Sequence, residues 1–357
     1  MTAPPTVDVI IDNYNYGRFL SAAIDSALAQ THSGTRVIVV DDGSTDESRA
    51  ILAEYGKRVS SILQENGGQG SALNAGFTAS DADIVIFLDS DDLLHPETCA
   101  QIAAEALSNP AAAKFQYRLE VIDAAGQPTG SVKPAPHLPL PSGDLRDQEL
   151  RSPFDIAWLP MSGVAFPRWV LQRLLPMPAD QFRILADMYL QHLAALLGPV
   201  VSANWIGGSY RIHGDNNYEP PEARLQLDQL RQTIAFAATT RHHLLRLAGE
   251  LALGRPNDIL SVADLANRVV SHRLDPERHP VADDKRMRLA SDGVRAATRR
   301  TDVTPTMRAG FMLWFLAVTF APRRVVVPLA EVFLFPERRR WINRQLARQH
   351  RSQPYEP

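Results

Sequence analysis

The sequence predicts an α/β fold, a mostly parallel sheet flanked by helices and followed by a helical C-terminal region. Three observations predict it. Short runs of β-branched residues alternate with helix-period segments from Val7 to Leu88, the order of a parallel sheet covered on both faces. Acidic clusters close two of those runs, where open α/β sheets bind their ligands. Beyond Pro221 the chain turns to long Leu- and Ala-rich stretches of helical spacing.

Each element follows from its residues. Val7 to Ile11 is a β-branched run and reads as a buried strand; Leu20, Ala23, Ile24, Ala27 and Leu28 then trace one helix face within Gly17 to Ala29. Val37 to Val40 is a second strand, closed by Asp41-Asp42-Gly43-Ser44. Ser44 to Glu47 resembles a helix cap with acids in the first turn, leading into a helix from Ser48 to Tyr55. Ser60 to Leu63 predicts a strand, Ser71 to Ala79 a helix, and Ile84 to Leu88 a strand. Gly126 to Pro141, rich in Pro and Gly, reads as a loop, and Trp158 to Phe166 as a strand or turn around Gly163. Phe182 to Leu197 is helical and Val200 to Tyr210 a strand. No repeat of solenoid length is present. The reading divides the chain into a domain at 1–220, a helical region at 221–305 and an apolar, basic segment at 306–357.

Composition bounds the function. With 357 residues, 45% of them hydrophobic and 22% charged, the chain forms a core and has room for two domains. A single cysteine, Cys99, excludes an internal disulfide framework and a multi-cysteine zinc site. The net charge of −3 hides an asymmetry: Lys285 to Arg351 carries fifteen basic and four acidic side chains, a net of +11, while residues 1–284 carry −13. A basic tail suits an anionic surface, either membrane or nucleic acid, while an acidic body argues against a protein coated all over by nucleic acid, and no nucleic-acid partner is expected. Met1 to Pro5 lacks the basic and apolar parts of a signal peptide, which predicts a cytoplasmic location.

The sharpest chemical signal is Phe87-Leu88-Asp89-Ser90-Asp91-Asp92, three carboxylates ending a hydrophobic strand. Like charges that close repel, and a divalent cation, Mg²⁺ or Mn²⁺, is the usual way to hold them together beside a diphosphate. Asn13-Tyr14-Asn15 ends the first strand in the same manner, and Asp41-Asp42 the second. The glycine-rich run Glu65-Asn66-Gly67-Gly68-Gln69-Gly70 follows the third strand, where glycines would let backbone N–H groups approach a ligand. It has neither the Rossmann glycine spacing nor a Walker lysine.

Together these segments resemble the family 2 glycosyltransferases with their GT-A fold. The likeness runs in order through VDVIIDNYNYGRFLSAAIDSALAQT, VIVVDDGSTDES, QENGGQGSALNAG and DIVIFLDSDDLLHP, covering residues 6–96. It continues more loosely to about residue 218 through Met161 to Phe166, Leu185 to Met188 and Tyr210 to Gly214. The resemblance implies an inverting enzyme that moves a sugar from a nucleoside-diphosphate donor, UDP-linked, to a hydroxyl of a saccharide or lipid-linked acceptor, with protein acceptors also open. It implies nucleotide contacts from Asn13, Tyr14, Asn15, Asp41, Asp42, Asn66 and Asp89, with Asp41 on the base and Asp89 near the ribose. Asp91 would ligate the metal, with Asp92 beside it, and His213 would contact the metal or diphosphate.

The family's catalytic base is the aspartate of a Glu-Asp pair, which reads Ala186-Asp187 here, so Asp187 is the expected base. Asp12 is a second departure, standing where the family usually has proline. The missing glutamate leaves a catalytically degenerate binding or scaffold protein as an alternative. Nucleotidyl transfer is disfavoured because no basic triphosphate cradle follows the first strand. Gly310 to Ala321 and Val325 to Phe335 are intensely apolar, interrupted by Pro322-Arg323-Arg324 and followed by Arg338-Arg339-Arg340-Trp341. Neither run reaches the length of a spanning helix. The pattern predicts peripheral attachment to the inner face of the cytoplasmic membrane, with Phe311 to Leu316 in the acyl boundary and Trp314 and Trp341 at the interface; the alternative is a buried helical pair. Oligomeric state is not legible.

Overall fold

A computed structural model describes residues 4–214, 216, 224–254 and 258–335. Arg338, Arg339, Arg340 and Trp341 lie outside the described residues.

The opening segment alternates as its sequence predicts: β1 (Val7–Asn13), α1 (Gly17–Leu28), β2 (Thr35–Asp41), α2 (Ser48–Tyr55), β3 (Ser60–Leu63), α3 (Gln69–Ala79) and β4 (Ile84–Asp89). β5 (Leu93–Leu94), α4 (Thr98–Ser108), β6 (Lys114–Ile122), β7 (Pro128–Lys133), α5 (Arg146–Arg151), β8 (Val164–Pro167), α6 (Arg168–Leu174), α7 (Ala186–Leu197) and β9 (Val200–Arg211) follow. Among the described residues these strands form one mixed sheet, ordered β3-β2-β1-β4-β8-β6-β9-β5, with β7 paired to β6. The parallel part is β3 to β4; β8 runs antiparallel to both β4 and β6, and β6 runs parallel to β9.

Alternation decides what each face of β1 meets. Val7, Val9 and Ile11 pack with Leu20, Ala23 and Ile24 of α1, all essentially inaccessible. Ile10 points the other way, onto α3, where a Cβ at Gly76 would fall 2.4 Å from its Cγ2. Each Val or Ile buried this fully contributes about 1.5–3 kcal/mol.

Two elements differ from the sequence reading. The Pro- and Gly-rich stretch at 126–141 contains a strand, β7, which extends the sheet beside β6. β6 itself escapes a hydrophobic-run criterion because Lys114, Gln116 and Arg118 lie between its apolar residues and are nevertheless buried. Their donor groups find partners locally: Lys114 reaches Gln191, the Gln116 amide nitrogen donates to Ser202 and the Pro141 carbonyl, and Arg118 donates to the carbonyls of Pro134 and Leu138.

The chain divides into two compact units, one of residues 1–146 and 158–213, the other of 147–157 and 214–356. The described part of the second unit is helical: α8 (Leu227–Glu250), α9 (Val262–Leu274), α10 (Arg286–Arg299), α11 (Pro305–Phe320) and α12 (Arg323–Leu334). These helices share one core that includes Ile234, Val269, Leu289, Phe315 and Val326. Asp155 caps α9 from a distant segment, its two oxygens accepting from Val262 N and Ala263 N at 2.9 Å each. Among the described residues no helix is long and apolar enough to cross a membrane.

Candidate functional site

Parallel register assembles the site at the carboxyl ends of the first strands. Asn13 pairs with Asp41 across β1 and β2, and Asp12 pairs with Asp89 across β1 and β4. The Asn13 amide nitrogen donates to Asp41 Oδ1 and to Ser44 Oγ, both at 3.1 Å. Asp41, fully buried, also accepts from the Ser44 N–H at 3.2 Å and from Arg49 Nε at 2.9 Å. Asn15 adopts a left-handed φ of 57° and accepts from Thr45 N at 2.7 Å, while Tyr14 is exposed. An asparagine tolerates that backbone better than most residues, which ties the turn after β1 to its sequence.

The glycine-rich loop is built around protein rather than open space. Asp42 accepts from Gly67 N at 2.9 Å, Gly68 N at 2.7 Å and the Gln64 amide at 2.5 Å, so both its oxygens are engaged. Gly68 has a φ of 87°, and a Cβ there would lie 2.6 Å from the Arg183 Cα. Gln69 N and Gly70 N then donate to the carbonyls of Arg183 and Phe182. At Gly68 to Gly70 the glycines permit a close approach of backbone, which brings the 182–183 segment against the loop. Arg183 in turn hydrogen-bonds the Asn66 side chain.

Gln69 is a site residue that the sequence reading missed. Its Nε2 donates to Asp89 Oδ1 at 3.2 Å, and its Oε1 accepts from Ala186 N at 3.1 Å. One side chain thus joins the carboxylate ending β4 to the first residue of α7, next to Asp187. The Ala186 side chain is buried, and Leu185 before it holds a left-handed φ of 57°. Non-glycine residues in that region cost energy and cluster at functional sites.

The turn after β4 is locked from β9. Asp92 Oδ1 accepts from Arg211 N at 2.8 Å, and Arg211 Nε donates to the Asp91 carbonyl at 2.7 Å. Asp91 Oδ2 meets His213 Nε2 at 3.0 Å, and the imidazole lies against Phe19 and Tyr16, with ring centroids at 4.8 and 5.4 Å. The Ser162 hydroxyl accepts from Asp89 N at 3.2 Å. Arg211 and Ser162, like Gln69, carry no local motif. They are found only once β9 and the 161–163 turn are folded onto the acidic loop.

Asp12, Asp89, Asp91 and Asp187 are recessed, keeping a partial opening to solvent, whereas Asp92 is closed off. Burial pushes the Asp12 carboxyl up to about 7, helped by the negative charges of Asp91 and Asp42 and opposed by a hydrogen bond to Gln69. Asp89 rises well above the usual range through burial and then through Asp12, Asp92, Asp91 and Asp187. Burial, with Asp91 next, also raises Asp92. Asp187 is raised by burial, with the N–H of Met188 pulling against it. Asp12 Oδ1 and Asn13 Oδ1 are buried acceptors without a hydrogen-bond donor among the described residues. Mutually repelling, under-satisfied oxygens of this kind fit a hard divalent cation. Among the described residues no three His, Cys, Asp or Glu side chains converge as a complete metal cage. A separate cavity of about 370 Å³ in the helical unit is lined by Arg268, Asp284, Arg295 and Asp292, whose charges pair with one another.

A mixed sheet whose carboxylates gather at its strand ends, flanked by helices, is a fold of the GT-A class. Residues 8–157 match the model of Glycosyl transferase family 2, and this part of the chain is a family 2 glycosyltransferase domain. An uncharacterised glycosyltransferase of Nostoc sp. is 37% identical over 216 residues, 59% of this chain and 66% of the relative. One from Rickettsia typhi is 43% identical over 95 residues, covering 27% of this chain and 30% of its own. The chain therefore spans between about a third and two thirds of these relatives' lengths. The crystal structure of S. aureus TarS 1–349 in complex with UDP-GlcNAc superposes with a TM-score of 0.50 at 15% identity, covering 91% of this chain and 89% of that one, a likeness of fold.

Proposed function

We propose that this protein is an inverting glycosyltransferase that takes a sugar from a UDP-linked donor and passes it to a hydroxyl of a saccharide or lipid-linked acceptor. The observation that carries the reading is the recessed group of Asp12, Asp89, Asp91 and Asp187 at the carboxyl end of a family 2 domain. A TarS structure holding UDP-GlcNAc on a similar fold supports the choice of donor. The uridine lies over the ends of β1 and β2, contacted by Asn13, Tyr14, Asn15, Asn66 and Asp41. Arg49, half exposed where it bonds Asp41, gives way to the base. Asp42 serves the nucleotide indirectly by holding the glycine-rich loop, and Asp89 meets the ribose. When bound, Mg²⁺ or Mn²⁺ supplies Lewis-acid stabilisation of the diphosphate charge, with Asp91 and His213 as its protein ligands.

Asp187 holds the proton chemistry. The acceptor hydroxyl gives its proton to this carboxylate as its oxygen bonds the anomeric carbon; the bond from that carbon to the β-phosphate oxygen breaks on the opposite face and UDP departs. One displacement inverts the configuration. A carboxylate raised by burial is a better base than an exposed one, because its proton affinity lies closer to that of the group it serves. We also place the enzyme at the inner face of the cytoplasmic membrane, attached through the C-terminal helices, where a lipid-linked acceptor would be met.

Release of UDP from UDP-sugars with Mn²⁺ or Mg²⁺ tests this. Metal-dependent release, lost in Asp91→Asn, is expected. Binding without turnover across a panel of acceptors would favour a degenerate scaffold instead.

A further inference from the structure

We propose that the outer face of α11 is the surface that enters the lipid, and that a cluster of arginines at its C-terminal end selects anionic headgroups. This rests on the proposed membrane attachment and says which side chains make it.

From Ala309 onward α11 is apolar apart from Thr319, and its two sides have different fates. Phe315 and Val318 are fully buried, Phe311 and Met312 pack against the same core, and Trp314 stacks on Phe333 with centroids 4.1 Å apart. The Trp314 Nε1–H donates to the Leu329 carbonyl at 2.8 Å, so this tryptophan is used inside the helical pair rather than at an interface. Beyond the first turn, where Pro305 and Thr306 are exposed, the residues left facing solvent are Ala309, Gly310, Leu313, Leu316, Ala317 and Phe320. Their spacing is one helical stripe, and from Ala309 to Phe320 it contains no polar side chain. Leu313 is 67% exposed and Phe320 60%. Val325 and Val332 of α12 are exposed as well. A solvent-facing stripe without one charge is the reverse of an ordinary surface helix, which places its polar residues there.

Charge says what covers it. At the Phe320 end, the Arg286 guanidinium lies 6.0 Å from the phenyl centroid. Arg273 donates to the carbonyls of Val318 and Ala321, and Arg323 donates to the Leu274 carbonyl. Arg324 is exposed beside them. Arg273 feels Arg286 and Arg323 as like charges. Cations held together at the rim of an apolar face suit a negatively charged bilayer, which attracts basic side chains near its surface and takes a helix with its apolar face about 5–10 Å deep. A second copy of this chain packed parallel on this face would bring the same cations against themselves.

Co-sedimentation of the full chain with vesicles tests this, using phosphatidylcholine with and without phosphatidylglycerol. The wild type should partition onto phosphatidylglycerol vesicles, and Leu313→Asp/Phe320→Asp should weaken that partition by about tenfold or more, a loss of about 1.4 kcal/mol per tenfold. Both positions are solvent-facing, so an unchanged thermal melt keeps the comparison fair. Partition unaffected by the double variant but abolished on deleting 336–357 would overturn the α11 face while leaving membrane attachment standing. No partition of the wild type onto any vesicle would overturn both. A dimer that the double variant turns into a monomer, with no vesicle binding, would assign the face to a second copy and overturn the proposal.

Discussion

At the residue scale the site depends on carboxylates that ordinary surfaces would not tolerate together. Asp187 sits in the first turn of α7, where the helix dipole and the Met188 N–H favour its charge, yet burial wins and its pKa is raised. If it only accepts the acceptor's proton, Asp187→Asn should cut kcat by about 10²–10⁴-fold with donor KM nearly unchanged. Parallel losses in donor affinity and turnover would place Asp187 at the nucleotide or mark it as structural. Asp91 and Asp187 could be picked from the sequence because the motif around each is local. Gln69, Arg211 and Ser162 could not, since each reaches the acidic loop from a distant segment, and a glutamine in a glycine-rich run carries no signal of its partner. Asp12, noted in the sequence only as a departure, proves to be the register neighbour of Asp89.

At the element scale, the loop between β3 and α3 shows how backbone freedom is spent. The sequence suggested glycines that clear the way for a ligand. What occupies that space is Arg183, which Gly68 allows to approach and which fixes the segment leading to Asp187. Gly68→Ala would place a Cβ 2.6 Å from backbone at a φ of 87° and should cost about 1–3 kcal/mol, read as a lower melting temperature. Gly56→Ala is the control, because it also has a positive φ but meets nothing within 4 Å, and should cost less. Equal effects of the two would mean that close approach at Gly68 does not matter. The β6 strand was hidden for a related reason: its alternating Phe115, Tyr117, Leu119 and Val121 were a strand signal, but burial of the polar partners depends on the 134–141 loop folding back. In α11 the composition announced apolar character, and only packing against α9, α10 and α12 could divide it into an inner and an outer face.

At the scale of the whole molecule, the fold was legible through residue 96 because strands buried on both faces must be continuous in β-branched residues. Beyond that point non-local pairings decide, and the sheet becomes mixed. The same architecture stores electrostatic strain at one end of the sheet. Asp12, Asp89, Asp92 and Asp187 all have folded-state pKa values above the usual carboxylate range, so the folded chain holds protons that the unfolded chain gives up. Stability therefore falls as pH rises from the ordinary carboxylate value of 3.8 through the folded value, about 7 for Asp12. A divalent cation carrying UDP should offset that repulsion, and most where the carboxylates are ionised. The direct measurement is the melting temperature between about pH 5 and pH 8, free and with Mn²⁺ plus UDP. We expect the free protein's melting temperature to decline toward pH 8, a ligand-induced rise that is largest there, and no such rise in Asp91→Asn. An absent rise at every pH, or an equal rise in Asp91→Asn, would contradict a metal-assisted nucleotide site at these carboxylates.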